Sequence, residues 1–282
     1  MSGATKKAAV TGHPVAQSRS PLVHGYWLNK HGIDGDYSRL DVSPETAPEF
    51  YRNFANSGLA GANVTVPHKE VAAAACAHLD AAAQAMGAAN TLWLDDTGQL
   101  CGANTDALGF LGNLDQQAPG WDVSRESAVV LGAGGAARAV VWALLSRKFT
   151  RVHIVNRTFE KARAIANEFG AGTVAHGWDK LGTVLEQADL LVNTTSLGMT
   201  GKAPLDIDLA PLPQSALVTD AVYVPLETDL LRQAAHRGNR TVDGLGMLLH
   251  QAVPGFERWF GVRPEVDETL RKLVLDDLGA AV

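Results

Sequence analysis

The sequence predicts an α/β protein built as two domains. Three observations carry that expectation: a strand, a glycine turn and a helix in immediate succession near the middle of the chain; a regular alternation of short apolar runs and helical patterns after it; and a separate set of strands and helices before it. At 282 residues the chain is also long for one compact domain.

The central stretch runs from Ser127 to Lys161. Ser127-Ala-Val-Val-Leu131 is an apolar run of strand length, and Gly132-Ala133-Gly134-Gly135-Ala136-Ala137-Arg138 follows it. Val140, Val141, Leu144 and Leu145 then recur at helical spacing. Strand, glycines and helix in that order match the dinucleotide fingerprint. Its glycines let the backbone close on a pyrophosphate, and the helix N-terminus offers that anion unpaired N–H groups. A second strand, Arg151 to Val155, leads to the place where an acidic residue reads a ribose 2′-hydroxyl. Here the residues are Asn156, Arg157 and Thr158, with Lys161 one helical turn beyond Arg157. A guanidinium suits a 2′-phosphate where a carboxylate suits the free hydroxyl, so the cofactor expected is NADP.

Composition narrows the function classes. Hydrophobic residues at 46% and charged residues at 19% describe an ordinary globular protein. A formal net charge of −6, without any basic cluster, argues against nucleic acid as a partner. Cys76 and Cys101 are too few for a disulfide framework or a zinc site, and buried free thiols are expected. The nine histidines are scattered without metal-ligand spacing, so no metal is expected. The N-terminus lacks a signal-peptide core and no run has membrane-spanning length, which predicts a cytoplasmic protein with no membrane partner.

Before the central stretch, Ala8 to Thr11 is expected as a short strand, broken by Gly12-His13-Pro14. The loop Gln17-Ser18-Arg19-Ser20 precedes Pro21, which suits the first turn of a helix to about Lys30. Ser20 serves equally well as a cap of that helix or as a ligand contact. A strand over Tyr37–Val42 and a helix from about Pro48 to Asn56 follow. Alternation in Asn63-Val64-Thr65-Val66-Pro67 places Asn63 and Thr65 on one face, and Pro67 stops further pairing. Lys69 lies just beyond, where most lysines are merely solvated. One alanine-rich helix is expected over roughly Glu70–Met86. A hairpin with Asp95-Asp96-Thr97-Gly98 as its turn leads into Asn104-Thr105-Asp106, where Asp106 would serve as an N-cap.

After the central stretch, a helix over Thr158–Phe169 and a strand over Thr173–His176 are followed by a poorly patterned helix, Trp178 to Gln187. Strands over Asp189–Asn193, Ala216–Ala221 and Arg240–Val242 come next, with a helix over Asp229–Arg237 between the last two. Gly132, Asn156, Asn193, Ala221 and Gly244 all fall at or just past strand ends, where ligands of such sheets bind. Two final helices, Gly246–Phe260 and Val266–Leu278, have no strand to complete.

Eight motifs in order resemble the shikimate dehydrogenase family over nearly the whole chain. They are Ser18-x-Ser20-Pro21, Asn63-Val-Thr65-Val-Pro67-His-Lys69, Gly87-Ala-Ala-Asn90-Thr91 and Gly102-Ala-Asn104-Thr105-Asp106-Ala-Leu-Gly109, then Gly132-Ala-Gly134-Gly135, Asn156-Arg157-Thr158, Asp220-Ala-Val-Tyr223-x-Pro225 and Gly244-Leu-Gly-Met247-Leu-Leu-His-Gln251. The resemblance implies reversible NADPH-dependent reduction of 3-dehydroshikimate to shikimate, a step of aromatic amino-acid biosynthesis. It assigns Ser18 and Ser20 to the substrate carboxylate, and Asn63, Thr65, Asn90, Asp106 and Gln251 to the ring hydroxyls, with Tyr223 alongside. Lys69 and Asp106 would form the catalytic pair. Gly132, Ala133, Gly134, Gly135, Ala136, Asn156, Arg157, Thr158, Lys161, Ala221 and Gly244 would hold the cofactor. The fold implied is α/β in two domains: an N-terminal α/β substrate domain (1–105 plus 246–282) and a Rossmann-like NADP-binding domain (106–245), with the C-terminal helices returning to the first. A monomer or homodimer is expected. Gln17 and Gly25 stand where a histidine and an asparagine are frequent in the family, and Lys161 where some members carry a second arginine.

Hydride chemistry belongs to the nicotinamide, so the chain must orient the reacting carbon and manage one proton. Two rivals remain: a quinate/shikimate dehydrogenase of the same fold or a relative acting on an aminated analogue, and a non-catalytic NADP-binding regulator. The regulator is disfavoured because both Lys69 and Asp106 are present.

Overall fold

The computed structural model describes residues 5–280. The first four and last two residues assigned to the substrate domain lie outside them. The chain forms two compact units: one runs to Thr105 and resumes at Leu249, and the other is Asp106–Leu248.

The first unit is built on a six-stranded mixed sheet. Its strands are β1 (Lys6–Gly12), β2 (Gly35–Asp41), β3 (Gly61–Val64), β4 (His78–Leu79), β5 (Thr91–Leu94) and β6 (Leu100–Ala103), in the order β2-β1-β3-β5-β6-β4. The β1–β2, β1–β3 and β4–β6 pairs are parallel, and the hairpin strands β5 and β6 run antiparallel. Ala62, Val64, Leu92 and Leu100 bury one core with Tyr51, Phe54 and Ala72. The helix Leu245–Phe260 brings in a second aromatic layer. Trp259 donates its indole N–H to the Leu92 carbonyl at 2.9 Å. Gly61 is what permits that approach, because a Cβ there would lie 1.8 Å from the Trp259 nitrogen.

The expected alanine-rich helix is not continuous. Helices Lys69–Ala75 and Ala81–Met86 flank β4. Alanine favours helix, but sheet pairing overrides it here. Ala77 N–H donates to the Leu100 carbonyl and Asp80 N–H to the Gly102 carbonyl. Asp80 also caps the second helix, accepting from Ala83 N–H at 2.7 Å.

The second unit is a doubly wound sheet. Its strands are β7 (Ser127–Leu131), β8 (Arg151–Asn156), β9 (Thr173–Gly177), β10 (Leu190–Asn193), β11 (Leu217–Asp220) and β12 (Thr241–Val242). All pair parallel in the order β12-β11-β10-β7-β8-β9. Strand progression reverses between β7 and β10, which is where sheets of this class bind their ligands. The poorly patterned stretch after Trp178 forms only a short 3-10 turn and the helix Leu181–Leu185.

Candidate functional site

In the first unit, strand ends bring most of the expected substrate residues into one hydrogen-bonded chain. Ser18 donates to Ser20 Oγ at 3.3 Å and accepts from Ser20 N–H. Ser20 is the first residue of the helix Ser20–Lys30, and the residue before it, Arg19, makes no side-chain cap. Ser20 is therefore not the cap of this helix. Arg39 clamps the loop by donating to the Ser18 carbonyl at 2.6 and 3.0 Å. The Ser20 hydroxyl meets buried Tyr37, whose own hydroxyl donates to Asn63 Oδ1 at 2.6 Å. Asn63 Nδ2 reaches the Asn90 carbonyl and Thr91 Oγ1. Asn90 Oδ1 in turn accepts from Thr105 N–H at 2.8 Å and from the hydroxyls of Thr91 and Thr105. Thr105 also donates to the Gln251 carbonyl at 2.8 Å, which ties in the returning helix.

Thr105, Thr91, Tyr37 and Arg39 were not singled out from sequence. Thr91 and Thr105 stand within motifs, beside Asn90 and between Asn104 and Asp106, so a signal for them existed. Tyr37 and Arg39 lie on a strand with ordinary alternation, and only the fold reveals their partners. Thr65 stands half-buried just past β3, with its methyl against Gly12, where a Cβ would come within 2.4 Å.

Lys69 is not on a loop. It opens the helix Lys69–Ala75 and is half-buried. A cation at a helix N-terminus opposes the dipole, a placement that costs roughly 0.3–1 kcal/mol. The turn before it is pinned from several sides. His68 is buried and its Nε2 donates to the Val42 carbonyl at 2.6 Å, Thr65 N–H bonds to Thr11 and His13 N–H to Val66. The ammonium is thus held where local electrostatics alone would not put it.

In the second unit, Asp106 begins the helix Asp106–Gln117 and is half-buried. Gly132 has φ +110°, and a Cβ there would lie 2.7 Å from Thr194 Oγ1, so only glycine joins β7 to its turn. Thr194 closes that strand end by donating its N–H and hydroxyl to the Leu131 carbonyl at 2.9 and 2.6 Å. The helix Gly135–Ser146 starts with neither a side-chain cap nor an acidic residue in its first turn. Space is open around the Cα atoms of Gly134 and Gly135. A helix N-terminus left in this state accommodates a phosphate. At the end of β8, Asn156 Nδ2 donates to the Thr158 carbonyl at 2.9 Å, which shapes the loop that exposes Arg157. Among the described residues neither Arg157 nor Lys161 forms an ion pair, while nearby Glu160 is taken by Arg163. Gly244 lies against β11, where a Cβ would meet the Ala221 carbonyl oxygen at 2.6 Å. Ala221 and Tyr223 follow β11 directly and are half-buried. Among the described residues no group of three metal-ligating side chains occurs, and no helix is long and apolar enough to cross a membrane.

A parallel doubly wound unit with an uncapped glycine turn and exposed cations at its β8 end defines a dinucleotide-binding α/β protein. Its other unit offers an amide- and hydroxyl-rich polar site. The chain belongs to the shikimate dehydrogenase family. Family models match as the shikimate dehydrogenase substrate-binding domain over residues 10–92, shikimate/quinate 5-dehydrogenase over 114–199 and the shikimate 5′-dehydrogenase C-terminal domain over 244–273. The shikimate dehydrogenase (NADP(+)) of Azorhizobium caulinodans is 60% identical over 98% of both chains. The Thermus thermophilus shikimate 5-dehydrogenase, solved with NADP(H) and shikimate, superposes with a TM-score of 0.84 at 35% identity over 95% of this chain and 100% of that one. The Corynebacterium glutamicum quinate dehydrogenase, solved with NAD, superposes with a TM-score of 0.87 at 29% identity, covering 96% and 99%.

Proposed function

We propose that this chain catalyses the reversible, NADP-dependent interconversion of 3-dehydroshikimate and shikimate. One observation carries this: the 60% identity, over 98% of both chains, to an enzyme named for that substrate and cofactor. Fold alone does not choose, since the quinate enzyme superposes as well as the shikimate enzymes do.

The second unit fits NADP. Gly132 to Ala136 and the free N-terminus of the helix after them suit the pyrophosphate, and Arg157, with Lys161, Asn156 and Thr158, suits the 2′-phosphate. Ala221 and Gly244 line the β11 side. NADPH, when bound, supplies the hydride. In the first unit, Ser18 and Ser20 present hydroxyls to the carboxylate of a small acid, and Thr65, Asn90 and Gln251 serve its ring hydroxyls. Lys69 stabilises the oxyanion that forms as the carbonyl is reduced and gives it a proton. Asp106 accepts a hydrogen bond from the same hydroxyl, and Tyr223 flanks the substrate. Acid–base help of this kind is worth roughly 10²–10⁴-fold.

Quinate differs from shikimate at the carbon bearing the carboxylate, so discrimination belongs to the serine loop. Ser20 is buried, at 8% exposure, and its hydroxyl meets Tyr37. Assaying shikimate and quinate, each against NADP and NAD, tests the assignment. The expected specificity constant for shikimate exceeds that for quinate at least about tenfold, roughly 1.4 kcal/mol in transition-state binding. Ser20→Thr narrows the gap. Equal constants in the unmutated protein refute the choice.

A further inference from the structure

Asp220 is the only buried carboxylate among the described residues, at 1% exposure. It ends β11, in register with Asn193 at the end of β10. Its Oδ1 accepts from Asn193 Nδ2 and from Val222 N–H, both at 2.9 Å, and its Oδ2 accepts from the Thr228 hydroxyl at 2.8 Å. Thr228 caps the helix Asp229–His236, accepting from Leu231 N–H. Asn193 in turn receives Thr195 through both its N–H and its hydroxyl, and Thr200 N–H bonds to the Val224 carbonyl. The loops after β10 and β11 therefore hang on one carboxylate.

All three donors to it are neutral, so burial lifts its pKa to about 6. Asp243, one residue past the registered pair Thr219–Val242 on the neighbouring β12, is a carboxylate too and accepts from Leu245 N–H. A buried charge with no cation beside it among the described residues is costly. Asparagine in its place would offer Thr228 a donor where an acceptor is needed. The loops that Asp220 holds stand on the opposite side of the β7–β10 reversal from β8 and its Arg157. A dinucleotide spans such a reversal, so these loops serve the half away from the 2′-phosphate.

We propose that Asp220 is a positioning residue for the nicotinamide half of bound NADP: without touching the cofactor, it sets the backbone of loop 221–228, on which Ala221 and Tyr223 stand. The inference rests on the NADP assignment above, and the test separates the two. Binding of NADP+ and of adenosine 2′,5′-bisphosphate, which lacks the nicotinamide half, is measured by calorimetry for the unmutated protein, Asp220→Asn, Thr228→Val and Thr228→Ser. Near pH 8, Asp220→Asn should weaken NADP+ about tenfold and leave the bisphosphate within about twofold. Thr228→Val should lose part of that affinity, and Thr228→Ser should restore it. Near pH 5 the unmutated protein is itself largely protonated at Asp220, so the ratio between it and Asp220→Asn should shrink toward one. The 2′-phosphate titrates alike in both and drops out of that ratio. Equal losses for the two ligands, no loss, or a ratio flat with pH would overturn the inference. Failure of the unmutated protein to bind the bisphosphate would instead bring down the NADP assignment, and this inference with it.

Discussion

The Tyr37 hydroxyl donates to Asn63 Oδ1 at 2.6 Å, and this bond changes what Asn63 can do. Its Oδ1 also faces His24 Nε2 at 3.2 Å, and its Nδ2 is spent on the Asn90 carbonyl and Thr91 Oγ1. Family resemblance assigns Asn63 to a ring hydroxyl, yet every polar position of its amide has a partner inside the unit. Asn63→Ala should therefore cost about 2–3 kcal/mol of stability, because it leaves buried Tyr37 and His24 unpaired. Tyr37→Phe, which removes this bond and the contact from Ser20, should cost about 1–2 kcal/mol. Urea unfolding at fixed pH measures both. Unchanged stability with a raised KM for shikimate would return Asn63 to the substrate.

His24 offers a pH-dependent check on the same cluster. It is fully buried, stacked on Tyr37 at 3.9 Å between ring centroids, and burial lowers its pKa to about 3 despite its bond to Asn63 Oδ1. The unfolded chain takes up this proton near pH 6.5 while the folded protein refuses it. Stability is thus present at neutral pH and lost as pH falls from about 6.5 toward 3, at up to about 1.4 kcal/mol per pH unit from this residue. His24→Phe keeps the ring and removes the titration. Its urea midpoint should fall less steeply between about pH 6.5 and pH 4.5 than that of the unmutated protein; equal slopes would assign the acid sensitivity elsewhere.

Arg157 should separate the cofactors. Its exposed guanidinium has a 2′-phosphate to meet in NADP and nothing to meet in NAD. Arg157→Ala should raise the KM for NADP at least about tenfold and leave that for NAD nearly unchanged. Equal losses for both cofactors would make Arg157 structural.

Lys69→Ala should lower kcat by roughly 10²–10⁴-fold while weakening shikimate binding far less, since its charge matters most when the oxyanion forms. Asp106→Asn should also be severely impaired, and the double variant should lose less than the two single effects multiplied. Near-normal turnover in Lys69→Ala would reduce that lysine to a solvated helix residue.

Much of this was legible in the residues. The strand–glycine–helix run at Ser127–Ser146, the Asn156-Arg157 pair in place of an acidic residue, and the strand ends at Asn193 and Ala221 are local patterns, readable because backbone geometry dictates them over a few residues. Boundaries were less legible where long-range pairing competes with propensity. Ala77 and Asp80 give their N–H groups to β6, and this breaks a run of alanines that local energetics would keep helical.

By itself the sequence determined the α/β class, the dinucleotide fingerprint with Asn156-Arg157 where an acidic residue is usual, and the polar residues that the family motifs mark. Only the tertiary structure decided which of those residues are spent on one another. Asn63 is saturated by Tyr37, His24, Asn90 and Thr91, Thr105 joins Asn90 to Gln251, and Asp220 gathers Asn193, Val222 and Thr228. The physical reason is that a buried polar atom must find its partner, and for Asn63, Thr105 and Asn193 that partner comes from another strand or helix, brought near by the fold rather than by spacing along the chain.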